Sequence, residues 1–180
     1  MDSVSLNRRG FLGASVASAA LMTGTSQARA QDNPSDTDAF VYEFQQTEEA
    51  WRAQLSDIEY YVLRDFGTEA PRSSEVWDNT EMGTYACRGC DLVVYDSLQK
   101  IELERGWTFF RHSRVDTVLL GIDLNGGAMG DPFASMQALM EAHCRRCGSH
   151  LGHIVALPEV RGRPIHCING FALKFEPAAA

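Results

Sequence analysis

Five cysteines stand in the 180-residue chain, and their spacing separates them into two kinds. Four form two Cys-x-x-Cys pairs, Cys87 with Cys90 and Cys144 with Cys147, and each pair has a neighbouring glycine. Thiolates spaced in this way can bind one ion, and four of them make a tetrahedral zinc site. The sequence therefore predicts a structural zinc site of four cysteines and leaves the fifth, Cys167, for another role.

The paired cysteines also allow a redox interpretation. In an exported protein each pair could close as a redox-active disulfide, or the two pairs could be cross-linked. A redox-active Cys-x-x-Cys usually opens a helix, which lowers the pKa of its first thiol, and neither pair precedes a convincing helix. The pattern favours zinc, and a thiol-disulfide oxidoreductase stays as an alternative that metal analysis would exclude.

The isolated Cys167 is the candidate nucleophile. A lone cysteine is by itself more typical of a small buried side chain. Here His150 and His153 directly follow the second cysteine pair, and strand alternation over residues 165–175 places Cys167 and Asn169 on one face. A thiol with imidazoles held nearby by a metal-clamped turn can act as a nucleophile.

The elements that must position these residues are short. Helical spacing of Trp51, Leu55, Ile58 and Val62 predicts helices in residues 48–66, with a capping box at Ser56 and Glu59 and an end at Gly67. Beyond residue 70, short alternating segments separated by Gly, Pro, Asn and Asp predict a mainly β body. We expect residues 165–175 to form one of its strands.

A glycine-rich loop, "LNGGAMGDP" at 124–132, interrupts the β pattern. It has no following Gly-Lys-Ser/Thr, so a phosphate-binding loop is excluded.

The first thirty residues have the features of an export signal. An arginine pair, Arg8 and Arg9, precedes a short apolar run and an Ala-Arg-Ala sequence that ends at Ala30. The run is too short to span a bilayer, so we expect cleavage after Ala30. The arginine pair followed by Gly-Phe-Leu resembles a twin-arginine signal, which exports folded proteins; an ordinary secretory signal is the alternative. The predicted location is periplasmic or otherwise exported.

Residues 31–45 are polar and contain a proline, which predicts a flexible leader, and the domain is expected over residues 46–177. The net charge of −8 becomes −10 after loss of residues 1–30, because that segment holds three arginines and one aspartate. An acidic surface argues against nucleic acid or an anionic membrane as partner. No second apolar segment approaches the length of a transmembrane helix, so we expect a mature form that is not membrane-embedded.

Between about residues 47 and 177 the chain resembles the B-type methionine-R-sulfoxide reductases. The resemblance is carried by an ordered set of segments: "DIEYYVLRDFGTEAP", "VWDN", "GTYACRGC", "GW" at 106–107, "CRRCGSHLGHI" and "HCINGFALKFEP". The family fold implies two antiparallel β-sheets with short N-terminal helices and a structural zinc held by two Cys-x-x-Cys pairs. That expectation agrees with the zinc site predicted from the cysteine spacing.

The resemblance also implies roles for individual residues. Cys167 would attack the sulfoxide sulfur of R-methionine sulfoxide in a peptide or protein, while His150 and His153 protonate and orient the departing oxygen. Asn169 would position the site, and Trp107 would pack against the substrate methyl group. An imidazole that titrates near neutrality can supply the proton, and the first product would be a sulfenic acid on Cys167.

The sequence departs from the family pattern around the nucleophile. Arg105 stands where many members carry a resolving cysteine, so an external thiol or thioredoxin-like reductant would have to reduce the sulfenic acid. Ile165 replaces the family arginine two residues before Cys167, and Arg163 is a possible substitute. "IVALPEV" replaces the usual residues after "HLGH". His166 should point away from the nucleophile, as strand neighbours do.

The leading hypothesis is an exported, zinc-containing reductase of R-methionine sulfoxide. The first alternative is a catalytically altered, zinc-stabilised β module that binds a peptide or small ligand. Its basis is the loss of the family arginine, where Ile165 stands, and of the acidic residues that "IVALPEV" replaces.

Overall fold

The structure is a computed structural model that describes residues 40–122, 140–161 and 163–179. The predicted export signal, the first part of the leader and the glycine-rich loop at 124–132 lie outside the described residues and stay predictions. Among the described residues, no helix is both long and apolar enough to cross a membrane.

Two short helices precede the sheets, α1 (Glu48–Gln54) and α2 (Asp57–Leu63). The hydroxyl of Thr47 caps α1 by accepting a hydrogen bond from the amide of Ala50, at 3.2 Å. The amide of Ser56 donates to the Glu59 carboxylate at 2.9 Å, so the predicted capping box is confirmed. Two differences appear at the residue level, since α2 ends at Leu63 rather than Gly67 and Ile58 is 37% exposed.

The described residues form nine strands in two antiparallel sheets, which confirms the mainly β architecture. The strands are β1 (Gly83–Cys87), β2 (Val93–Asp96), β3 (Lys100–Ile101), β4 (Thr108–Phe110), β5 (Val118–Ile122), β6 (Met140–Cys144), β7 (His150–Val155), β8 (Ile165–Ile168) and β9 (Leu173–Pro177). The smaller sheet has the order β2-β1-β9 and the larger sheet the order β3-β4-β8-β7-β6-β5.

Aromatic rings join the two sheets in the core. Phe110 of the larger sheet stacks on Tyr95 of the smaller sheet with ring centroids 4.2 Å apart, and meets Tyr85 edge to face at 5.1 Å. All three side chains are fully buried. Because aromatic side chains bury large areas and pair specifically, these contacts fix how the sheets lie against each other.

The prediction of one strand over residues 165–175 is wrong. After β8 the chain makes a 3-10 turn at Gly170–Ala172 and then enters β9, which pairs with β1 in the smaller sheet. The turn forms because the amides of Gly170 and Phe171 each donate to the Glu69 carboxylate at 2.8 Å instead of to a neighbouring strand. The residues after Cys167 therefore pass from one sheet to the other.

Candidate active site and metal centre

The two Cys-x-x-Cys turns have the same backbone geometry. In the first, the amide of Asp91 donates to the carbonyl of Cys87 at 2.9 Å, and in the second the amide of Gly148 donates to Cys144 at 2.8 Å. The residue after the second cysteine is left-handed in both turns, with φ of 60° at Asp91 and 70° at Gly148. The left-handed position is therefore occupied by Asp91 in the first turn and by Gly148 in the second. Gly89 does not occupy that position.

The fold brings all four paired thiols together in one possible metal site. Their sulfur atoms lie within 4.8 Å of one another, and all four side chains are buried. The closest sulfur pairs are Cys90 with Cys144 at 3.5 Å and Cys87 with Cys147 at 3.7 Å. These separations are far above the roughly 2.05 Å of a disulfide bond, and all five cysteines are free thiols. The arrangement suits a metal ion and does not show the disulfides of the redox alternative.

Cys167 lies in the middle of the larger sheet, directly opposite a predicted site histidine. In the antiparallel ladders Cys167 on β8 pairs with His153 on β7 and with Phe109 on β4, and His153 pairs with Glu141 on β6. Residues directly opposite in antiparallel strands project from the same face. One face of the sheet therefore carries the thiol, the imidazole and a carboxylate across adjacent strands.

A β-bulge brings His150 to that same face. Residues three apart on a regular strand face opposite ways, so His150 and His153 should diverge. The ladder shifts between Ala142 and His143, however, so that Ala142 pairs with Gly152 and His143 with His150, with Leu151 as the extra residue. As a result the rings of His150 and His153 lie 5.2 Å apart.

Glu141 contacts two histidines on this face of the sheet. One carboxylate oxygen accepts a hydrogen bond from Nδ1 of His150, and the other lies 3.2 Å from Nε2 of His143. Burial opposes ionisation of Glu141, but the hydrogen bonds and charges of the two histidines outweigh it and bring its pKa to about 2. Sequence reasoning missed Glu141 and His143. Their only signal was an acid and a histidine at alternate positions before the second cysteine pair.

The contact with Glu141 fixes the tautomer of His150. Burial lowers the pKa of His150, although the hydrogen bond with Glu141 opposes that effect, so the ring is neutral at pH 7. Its proton therefore lies on Nδ1, and Nε2 carries a lone pair. That Nε2 is buried with no hydrogen-bond partner among the described residues. His150 thus presents an acceptor that a ligand on this face can use.

A second carboxylate, Glu69, organises the other two predicted site residues. The Glu69 amide donates to Oδ1 of Asn169 at 3.0 Å, and the Glu69 carbonyl accepts from Nε1 of Trp107 at 3.2 Å. The Asn169 side chain also donates to the carbonyl of Leu151 at 3.2 Å. Asn169 is therefore a buried link between strands, while Trp107 keeps part of its ring accessible. No periodicity in the sequence marks Glu69 for this position.

The Cys167 thiol is partly buried and protonated at neutral pH. Burial raises its pKa to about 12, the Glu69 charge adds to the shift, and Arg105 opposes it. Arg105, which occupies the resolving-cysteine position, forms an ion pair with Glu159 at 2.6 Å. Ile165, at the family arginine position, is buried.

His166 lies on the opposite face from Cys167, as predicted. Its Nδ1 is 3.0 Å from the Tyr95 hydroxyl in the core between the sheets. Burial lowers the pKa of His166 to about 4, so the ring is neutral at physiological pH. The interpretation of His166 as a packing residue is confirmed.

Comparison with known proteins assigns this fold and site to a family. A sequence profile of the SelR domain matches residues 55–177. The peptide methionine sulfoxide reductase MsrB of Bradyrhizobium diazoefficiens is 37% identical over 134 residues, which cover 73% of this chain and 88% of the relative. The MsrB of Agrobacterium fabrum is 33% identical over 128 residues, or 71% and 88%.

An archaeal relative gives the same picture. The peptide methionine sulfoxide reductase MsrB of Methanosarcina barkeri is 33% identical over 133 residues, covering 73% of this chain and 87% of the relative. The matched region includes both cysteine pairs, the β7 histidines and Cys167. The chain therefore belongs to the SelR domain family of B-type methionine sulfoxide reductases.

Proposed function

We propose that the chain reduces R-methionine sulfoxide in peptides or proteins, with Cys167 as the nucleophile. Family membership supports the reaction class. The observation that carries the residue assignment is the pairing of Cys167 with His153, beside a buried His150 whose Nε2 is an unoccupied acceptor. A nucleophile and a proton donor on one face of a sheet are the minimum that oxygen transfer from a sulfoxide requires.

The first step transfers the sulfoxide oxygen to the thiol. The Cys167 sulfur attacks the substrate sulfur, His153 supplies a proton to the sulfoxide oxygen, and the Cys167 proton is released in exchange. The protonated oxygen then bonds to the Cys167 sulfur as the original S–O bond and the transient S–S bond both break, which leaves the thioether with its lone pair. The net change is thiol plus sulfoxide to sulfenic acid plus thioether, which is a two-electron oxidation of the cysteine sulfur. His150 accepts a hydrogen bond from the forming hydroxyl through Nε2, and the Trp107 ring contacts the substrate methyl group.

The second step needs an external reductant. Four of the five cysteines share the metal cluster, and Arg105 occupies the resolving position. Two equivalents of an external thiol, or one dithiol of a thioredoxin-like protein, would reduce the sulfenic acid to the thiol with release of one water and formation of one disulfide.

The cysteine cluster suits a structural zinc ion. A tetrahedral centre with Zn–S bonds of about 2.3 Å places its sulfurs roughly 3.8 Å apart. The two closest sulfur pairs, at 3.5 and 3.7 Å, are near that spacing. Four protein thiolates close the coordination sphere, so the ion would stabilise the fold and take no part in the oxygen transfer.

The export signal in residues 1–30 supports a location in the cell envelope. A twin-arginine route, which moves folded proteins, would allow the ion to be bound before export and would protect the four thiols from the oxidising compartment.

The test is reduction of a peptide with one methionine sulfoxide, resolved by epimer, with dithiothreitol as reductant. We expect the metal-loaded chain to consume only the R epimer, and Cys167→Ser to consume neither while keeping its metal content and circular dichroism spectrum. The S epimer serves as the internal control. Turnover that persists in Cys167→Ser would refute the assignment of the nucleophile.

A non-catalytic ligand-binding module is the second candidate function. The observations that favour it are Ile165 in place of the family arginine and the high pKa of the Cys167 thiol. Under this hypothesis the folded, metal-loaded chain binds a sulfoxide peptide, consumes neither epimer, and binds equally well as Cys167→Ser.

A further inference from the structure

A cationic groove lies beside the candidate active site. Arg111, His112, Arg161 and Arg163 line a cavity of about 400 Å³. We call these four residues and their cavity the arginine groove. The buried Ile165 also lines the cavity, so the replacement of the family arginine leaves an apolar side chain among three arginines.

The positive charge of the arginine groove is uncompensated among the described residues. The side chains of Arg111, Arg161 and Arg163 are exposed and form no ion pair or side-chain hydrogen bond with any described residue. No acidic residue lines the groove. The nearby Glu159 carboxylate, on the same loop as Arg161, is bound by Arg105 at 2.6 and 3.0 Å. In a chain with a net charge of −8, this local excess of cations is a specific feature.

One residue of the groove lining, Ile165, lies on the same strand as Cys167. Ile165 and Cys167 are two residues apart on β8 and project from the same face. The two residues lie roughly 7 Å apart along β8. Two residues of a bound, extended peptide span about the same distance. A peptide whose oxidised methionine reaches Cys167 therefore places a residue one to three positions away over the arginine groove.

We propose that the arginine groove binds an acidic segment adjacent to the oxidised methionine of a polypeptide substrate. This inference rests on the proposed function, since it assumes that the sulfoxide is seated at Cys167. Guanidinium groups bind carboxylates through paired N–H donors, and several of them around one cavity favour glutamate or aspartate over a neutral residue. Charge complementarity between an acidic segment and three arginine side chains selects the substrate.

The test separates binding from turnover. Two fluorescein-labelled peptides carry methionine sulfone, which the reaction cannot reduce, flanked either by two glutamates on each side or by glutamines at the same positions. Fluorescence anisotropy gives their affinity for the metal-loaded chain at low and high salt. Matching methionine sulfoxide peptides give kcat/KM. The test variant is the double substitution Arg111→Gln/Arg163→Gln. The control variant is Arg52→Gln, because Arg52 lies on α1 in an ion pair with Glu48.

We expect the acidic sulfone peptide to bind about five- to tenfold more tightly at low salt, since each partly exposed ion pair adds a small increment. The ratio of the two peptide affinities should fall as the salt concentration rises, and it should approach one in the Arg111→Gln/Arg163→Gln variant. In Arg52→Gln the ratio should equal that of the parent chain. In turnover the same ratio should appear mainly in KM, because the contact is remote from the reacting atoms.

Three outcomes would overturn the proposal. These are equal affinities of the two sulfone peptides, a preference that survives in the double variant, and sedimentation with anionic phospholipid vesicles that depends on Arg111 and Arg163 without any peptide preference. A binding preference without reduction of either sulfoxide peptide would instead contradict the proposed function and leave the acidic-segment assignment standing.

Discussion

At the scale of single residues, Glu141 is the group that most constrains the proposed chemistry. Its carboxylate accepts a hydrogen bond from Nδ1 of His150 and so leaves Nε2 as the nitrogen of that ring that can accept a hydrogen bond from a ligand. With its pKa near 2, Glu141 stays ionised at neutral pH. Holding a catalytic imidazole in one tautomer is a recognised function of a buried carboxylate.

We predict that Glu141→Gln lowers kcat/KM for the sulfoxide peptide by about 10- to 100-fold, which is less than the roughly 10²–10⁴-fold that a general acid or base itself contributes, because Glu141 acts only through His150. The amide can still hydrogen-bond His150, but it no longer fixes the proton on Nδ1. The measurement is the pH dependence of kcat for the variant against the parent, with Glu104→Gln as control, because Glu104 is 91% exposed. An unchanged pH profile and rate would show that Glu141 has only a packing role.

The sequence predicted some of these residues and not others, for a physical reason. Cys167 and His153 could be named because a thiol and an imidazole carry their chemistry in their residue type. Glu141 and Glu69 could not, since acidic residues are usually solvated and their burial depends on partners distant in sequence. Glu69, for example, bonds to Gly170 and Phe171, about one hundred residues away.

At the scale of elements, the bulge in β7 creates the histidine pair. Only the extra residue, Leu151, turns His150 toward the face that holds His153. The close approach of β7 and β8 at this point requires Gly152, because a Cβ there would lie 2.2 Å from the carbonyl oxygen of Cys167. The backbone of Cys167 thus occupies the space that any larger residue at position 152 would need.

We predict that Gly152→Ala destabilises the fold by about 1–3 kcal/mol, the usual range for overpacking, and reduces activity by displacing Cys167. Urea unfolding and the epimer-resolved assay measure the two effects. Gly121→Ala is the matched control on β5, because its added Cβ would meet only the end of the His143 ring, at 3.0 Å. Equal stability of the Gly152→Ala chain and its parent would contradict the close backbone contact.

Residue alternation along the strands predicts some features of these elements correctly and misses others. The mainly β body predicted beyond residue 70 and the alternate facing of His166 and Cys167 are both confirmed, since both depend only on local strand geometry. The bulge and the turn after β8 were missed because each arises from a tertiary partner. In the bulge that partner is β6, and in the turn it is the Glu69 carboxylate.

At the scale of the whole molecule, the cysteine cluster ties the two sheets together. Cys87 ends β1 of the smaller sheet and Cys90 follows it, while Cys144 ends β6 of the larger sheet and Cys147 lies in the β6–β7 turn. The sequence could predict the four ligands from their spacing. It could not show that the cluster connects the sheets, because that depends on the strand order.

We predict about one zinc ion per chain, and loss of the ion in Cys90→Ser or on chelation with a strong zinc ligand. The melting temperature should then fall by more than about 10 °C, since a structural zinc contributes directly to folding free energy. Elemental analysis and calorimetry measure both quantities. A metal-free chain with an unchanged melting temperature would contradict a stabilising role for the cluster.

The second cysteine turn also closes the β6–β7 hairpin, and that hairpin carries Glu141, His143, His150 and His153. Ion binding and the arrangement of these side chains are therefore linked equilibria within one hairpin. If ion binding favours the ordered arrangement of the histidines, then that arrangement raises the affinity for the ion by the same free energy, because the coupling is reciprocal. A metal ion held by the four cysteines and a substrate held at the proposed site would each stabilise the other through this hairpin.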